Sequence, residues 1–203
     1  MITEIKDRCA ALANNFKEIS KERKQLLEQL AAHIQQKKDT NQPIQLNYIC
    51  THNSRRSHLG QVWASVAANY YGIENVATFS GGTEATAFNI NAINALQAAG
   101  FKIDKQDESK NPIYQVYFSD TDFVTCFSKT FDNEANPTSN FVAVMTCSDA
   151  DNNCPFIAGC DLRIGTTYND PKAYDNTILQ NEKYTERSNQ IAMECLYVFS
   201  KIQ

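Results

Sequence analysis

Cys50-Thr51-His52-Asn53-Ser54-Arg55-Arg56-Ser57 sets a thiol, a short polar loop, a guanidinium and a hydroxyl between two segments of different periodicity. Upstream, Ile44, Leu46 and Tyr48 alternate into Cys50 with the two-residue period of a strand. Downstream, residues 57–71 follow a helical pattern that Gly72 closes. The pattern then repeats. Residues 75–79 read as a second strand, Ser80-Gly81-Gly82 as a turn, and the Ala/Leu/Ile-rich stretch from Thr83 to Gly100 as a helix. Strand, helix, strand, helix implies right-handed crossovers and a parallel sheet. The nearly continuous apolar run 141–146 has the character of a central strand covered on both faces, and it too ends on a thiol, Cys147.

Away from this centre the chain is less specific. Cys9, Leu12, Phe16, Ile19, Leu26, Leu30 and Ile34 recur every three or four residues, which predicts a long amphipathic helix or helical pair. Pro43 is the first helix breaker, so residues 1–42 form a helical extension and 43–203 the α/β domain. The stripe must pack on the rest of the chain or on a second copy, which makes a homodimer through this helix an expectation. Residues 104–140 are polar at both ends, with alternating pieces at 113–118 and 123–127 that suit a hairpin. Residues 178–202 read as a C-terminal helix. The fold expected is a three-layer α/β sandwich with a small, mainly parallel sheet.

Composition narrows the function. The 203 residues are 42% hydrophobic and 21% charged, an ordinary globular balance. No run of eighteen apolar residues occurs and the first residues lack a secretory apolar core, so a cytoplasmic protein with no membrane partner is expected. A net charge of -4 gives no global positive field for nucleic acid. The cysteine count of seven is odd and unevenly spaced, unlike a secreted disulfide framework.

The loop itself suits a tetrahedral oxyanion. Its backbone N–H groups, from Thr51 through His52, Asn53, Ser54 and Arg55, can turn inward, the helix N-terminus adds partial positive charge, and Arg56 can grip two oxygens in fork geometry. The same field favours thiolate at Cys50, and Ser57 can donate to the sulfur. Chance would place Cys-x5-Arg-Ser in a chain of this composition about 0.01 times. The motif resembles the signature loop of the low-molecular-weight protein tyrosine phosphatases and of the related thioredoxin-coupled arsenate reductases. That resemblance implies arsenate or phosphate as the oxyanion handled.

Cys147 and Cys154 bracket a polar stretch rich in Asp and Asn, a poor helix former that can be helical when reduced and unwind to join its ends. Zinc is disfavoured because close Cys-x2-Cys pairs are missing, and two inert buried thiols remain an alternative. The segment from Cys147 to Pro155 resembles the redox segment of the arsenate reductases, a feature that the phosphatases lack. The resemblance implies a relay: Cys50 attacks arsenate, Cys147 attacks Cys50 and releases arsenite, and Cys154 attacks Cys147 to leave a bridge that thioredoxin reduces. Cys9, Cys126, Cys160 and Cys195 read as structural.

Asp170 precedes Pro171, and in both related groups an Asp-Pro here implies a general acid. Lys172 follows where the phosphatases usually place an aromatic. His52 and Arg55 make the loop bulkier and more basic than the reductase pattern, which leaves open a non-catalytic oxyanion-binding or redox-sensing module. The reductases can hold potassium through a Glu at the place of Gln61; with that charge missing, no metal or other cofactor is expected.

Overall fold

The computed structural model describes residues 1–154 and 156–203. Its centre is a four-stranded, wholly parallel sheet of β1 (Ile44–Cys50), β2 (Val76–Gly82), β6 (Phe141–Met145) and β7 (Cys160–Gly165), in the order β2-β1-β6-β7. Side-chain alternation divides two cores between its faces. Ile44, Leu46, Tyr48, Val142 and Val144 enter the main core with α3 (Arg56–Tyr70) and α6 (Gln180–Phe199). Ile49, Phe141, Ala143 and Met145 enter a smaller one under α5 (Ser148–Asn153). Strand β6 is apolar throughout because both of its faces are covered.

Helix α3 lies close on β1 because Gly60 has no side chain: a Cβ there would meet the Tyr48 ring at 2.3 Å. The N-terminal stripe forms two helices, α1 (Thr3–Ala13) and α2 (Lys21–Asp39), with a 3-10 turn at Phe16–Glu18 between them and Ser20 capping α2 through its side chain. Both pack on α6, and Ile5, Cys9, Ile19, Leu27, Leu30 and Ile34 belong to the main core. The apolar stripe is therefore used within the chain.

Two local expectations are corrected. Ser80, Gly81 and Gly82 are not a turn but the end of β2, paired with Tyr48, Ile49 and Cys50. The helix expected from Thr83 starts only at Ile90 (α4, Ile90–Ala98), because residues 83–89 are drawn across the Cys50 loop and hydrogen-bond to it. The hairpin is present as β4 (Tyr114–Tyr117) and β5 (Phe123–Cys126), with an unforeseen third strand, β3 (Lys102–Lys105), completing an antiparallel sheet in the order β3-β4-β5. Gln61 joins the two sheets: its Nε2 donates to Thr78 O and to Thr125 O, each at 3.2 Å.

His58, on α3, is wholly buried and stacks on Phe88 with ring centroids 4.1 Å apart. Burial, and secondarily the Lys129 ammonium, lower its pKa to about 3. Because the folded value lies below the unfolded one of about 6.5, the unfolded chain binds the extra proton in between, and stability falls as pH drops from about 6.5 toward 3. From this residue alone the protein is expected to be about 3 kcal/mol less stable at pH 4 than at pH 7. Denaturant titrations at both pH values check this, with His58→Phe flattening the difference.

Candidate active site

Strands β1 and β6 are neighbours and parallel, so their C-terminal ends place Cys50 and Cys147 on one rim. Asn53 organises the loop that follows. It is fully buried at φ 43°, in the left-handed region where asparagine is tolerated. Its Oδ1 accepts from the Lys129 backbone N–H at 2.9 Å, which fixes the amide orientation, and its Nδ2 donates to Ser57 Oγ at 2.9 Å. With an acceptor lone pair of Ser57 thus taken, the hydroxyl hydrogen is free to point to Cys50 Sγ, 3.1 Å away.

The loop carbonyls are bound from outside. Thr83 N–H donates to Cys50 O, Glu84 N–H to Thr51 O, and Asn89 N–H to Ser54 O. Both Thr86 Oγ1 and Ser128 Oγ donate to His52 O. Carbonyl and N–H of a planar peptide point in opposite directions, so the N–H groups of Thr51, His52, Asn53 and Arg55 turn away from these partners, as an anion cradle requires. Gly82 lets the segment approach: a Cβ there would lie 2.6 Å from Thr51 O.

Arg56, at the start of α3, donates through Nη1 to Tyr168 O at 2.8 Å and through Nη2 to Asp170 Oδ2 at 2.7 Å. Asp170 Oδ1 in turn caps the 3-10 turn Pro171–Tyr174 by accepting from Lys172 N–H. The Arg55 side chain runs to α6, where Nε donates to Tyr184 Oη at 2.8 Å, and its Nη2 lies 3.6 Å from Asp175, which ends the 3-10 turn before that helix. His52 turns outward and pairs with Glu84 at 3.0 Å. The two loop residues that depart from the reductase pattern therefore brace its surroundings with their side chains and leave the backbone cradle intact. Ser54 Oγ donates to Ala87 O.

Cys147 is fully buried and caps α5, its Sγ accepting from Ala150 N–H at 3.4 Å, and it lies 3.4 Å from Thr51 Oγ1, next in sequence to Cys50. Cys154 closes the other end of α5 and is partly exposed. Cys50 and Cys147 share the smaller core, with Cys154 and Cys160 packed at its edge. Arg163 on β7 tethers this helix, with Nε donating to Cys154 O at 3.2 Å and Nη2 to Asp151 O at 2.5 Å. Burial pushes Cys9, Cys126 and Cys195 up to about 12, leaving them protonated and inert, and raises Cys160 as well.

No protein-family model matches the chain. Arsenate reductase 2 of Staphylococcus haemolyticus is 31% identical over 110 residues, which cover 54% of this chain and 65% of the relative, and arsenate reductase 2 of Staphylococcus epidermidis gives the same figures. The chain thus spans less than two thirds of the curated relatives it matches. Among solved structures, a low-molecular-weight phosphotyrosine phosphatase from Vibrio cholerae aligns with a TM-score of 0.52 at 13% identity, covering 77% of this chain and 95% of that one. An arsenate reductase in a phosphate-binding state aligns with a TM-score of 0.51 at 15% identity, over 79% and 99%. This is the low-molecular-weight phosphatase fold. The resemblance to arsenate reductases and low-molecular-weight phosphatases thus holds in both sequence and architecture.

On that fold the structure brings together Cys50, Asn53, Arg56, Ser57, Cys147 and Asp170, with Cys154 at the margin. Tyr168, Tyr184 and Asp175, which hold the two arginines, escaped the sequence reading; they sit more than a hundred residues away, and no local pattern marks them. The potassium site of the reductases does not fit here. Gln61 Oε1 already accepts from Ser80 Oγ at 2.7 Å and faces Cys126 Sγ at 3.8 Å, and the buried Lys129 ammonium supplies positive charge beside Cys126. Among the described residues no helix is long and apolar enough to cross a membrane.

Proposed function

We propose that this chain reduces arsenate to arsenite through a relay of Cys50, Cys147 and Cys154, with thioredoxin as reductant. One observation carries the reading: Cys147 Sγ lies against Thr51, the neighbour of Cys50, while Cys154 ends the same short helix that Cys147 begins. A phosphatase has no use for that second and third thiol.

The Cys50 thiolate attacks arsenic(V), and water departs with a proton that Asp170 supplies. The cradle N–H groups and Arg56 hold the remaining oxygens. The Cys147 thiolate then attacks Cys50 Sγ, and the sulfur–arsenic electron pair stays on arsenic, which leaves as arsenite. Cys154 attacks Cys147 Sγ, returning Cys50 as thiolate and leaving a Cys147–Cys154 disulfide for the thioredoxin dithiol. Two electrons enter as thiols and two leave on arsenic. The self-association expected of the N-terminal helices is not part of this reading, since their stripe is packed on α6.

Arsenate-dependent oxidation of NADPH in the presence of thioredoxin and its reductase tests the proposal; steady oxidation is expected, and its absence rejects the relay. A second reading rests on the ion pair between Arg56 and Asp170. It holds a carboxyl group beside Arg56, which, once protonated, can serve hydrolysis of a phosphate ester through a cysteinyl-phosphate. Release of p-nitrophenol from p-nitrophenyl phosphate with no arsenate-dependent NADPH oxidation would favour it.

A further inference from the structure

The N-terminal helices reach the oxyanion loop through buried polar contacts. Arg23, in the first turn of α2, donates from Nε and Nη2 to Glu194 Oε2 of α6 at 3.0 and 2.8 Å. The same oxygen accepts from Tyr168 Oη at 2.8 Å, and the Arg23 guanidinium stands 4.9 Å from the centre of the Tyr168 ring. Glu194 is only 3% exposed, so its buried oxygens need these donors. Burial raises Tyr168 well above an ordinary phenol, which keeps its hydroxyl a donor.

Tyr168 is also a junction for the site. Its carbonyl accepts from Arg56 Nη1 at 2.8 Å, and its N–H donates at 3.1 Å to Thr146 O, next to Cys147. Asp170, two residues on, takes the other arm of Arg56. One tyrosine thus receives the guanidinium that the oxyanion-binding reading assigns to the anion, and is itself held from α2.

We propose that Arg23 is a positioning residue: the N-terminal helical pair, acting through Glu194 and Tyr168, fixes the peptide that aims Arg56 and so sets the affinity of the loop for its oxyanion. This rests on the oxyanion-binding reading of the loop, not on the reductase relay. Cys50 itself is outside the chain of contacts, because its partners are Ser57 and, through it, Asn53.

Protection of Cys50 by inorganic phosphate against iodoacetamide, followed peptide by peptide in a mass spectrometer, tests it without requiring turnover. The variants are Tyr168→Phe, which removes one hydroxyl, and the pair Arg23→Met with Glu194→Gln, which removes both charges and leaves no unpaired carboxylate. In each, the phosphate concentration for half-protection should rise at least about fivefold, the effect of one hydrogen bond, while alkylation without phosphate stays within about twofold. Arg23→Lys should recover part of the loss. A smaller rise in Tyr168→Phe, or faster alkylation of Cys50 and Cys147 without phosphate, overturns the proposal. Failure of phosphate to protect the unaltered protein would instead reject the oxyanion reading, and the proposal with it.

Discussion

Serine at position 50 is expected to abolish turnover, lowering the rate by about four orders of magnitude or more, while phosphate still binds the loop. The two effects separate because the cradle and the nucleophile are built from different atoms. The cradle consists of backbone N–H groups, locked by the contacts of residues 83–89 and Ser128 with the loop carbonyls, together with Arg56. None of these involves the Cys50 sulfur. Its own contact is Ser57 Oγ at 3.1 Å, a distance that a serine hydroxyl can also span. What disappears is the sulfur nucleophile, since a hydroxyl with no base to take its proton is a poor nucleophile. Calorimetry with phosphate and the arsenate-dependent NADPH assay measure the two halves. Residual turnover above about a thousandth of the unaltered rate would show that another group attacks the oxyanion.

The loop was legible because its chemistry is local. Cys50, Arg56 and Ser57 sit on one strand-to-helix turn, and the elements that frame it announce themselves by period: β1 by alternation, α3 by its helical stripe, β6 by an apolar run that both cores require. Cys147 was legible for the same reason, as the end of that run. What stayed hidden depends on tertiary contact. Gly81 and Gly82 have turn composition, yet they extend β2 because Phe131 and the Cys50 loop come too close for any side chain. Residues 83–89 have helical composition, but the N–H groups of Thr83, Glu84 and Asn89 bind loop carbonyls and that of Thr86 binds the Ser128 hydroxyl. Strand β7 lacks a distinct apolar pattern because only part of it is buried, although its Arg163 holds α5. The partners of Arg55 and Arg56 are set by the packing of α6 and the Tyr168 segment, which no spacing in the sequence encodes. The N-terminal stripe predicted burial correctly but left its partner open, and the fold supplied α6.

Cys154→Ser is expected to release one arsenite per chain and then stop, with a Cys50–Cys147 bridge as the trapped product. The reason lies in the geometry of α5. Seven positions of α-helix separate Cα atoms by about 10 Å, whereas a disulfide needs about 6 Å, so Cys147 and Cys154 cannot join while α5 is wound. Unwinding is cheap: the helix has six residues, mostly Asp and Asn, whose helix propensity is low. It is opposed by the Cys147 Sγ cap on Ala150 N–H and by Arg163, which binds Asp151 O and Cys154 O. When Cys147 attacks Cys50, its sulfur leaves that cap and the first restraint on α5 is lost. The helix can then open and carry Cys154, already partly exposed, to the new bridge. Serine cannot make that attack, so Cys50 stays oxidised, no bridge is passed to thioredoxin, and the one arsenite released is accompanied by no NADPH oxidation. Rapid-quench counting of arsenite, with mass spectrometry of the bridged peptides, checks both parts. Repeated turnover by this variant, or a first product bridged at Cys160 in place of Cys147, would dismantle the relay through Cys147 and Cys154.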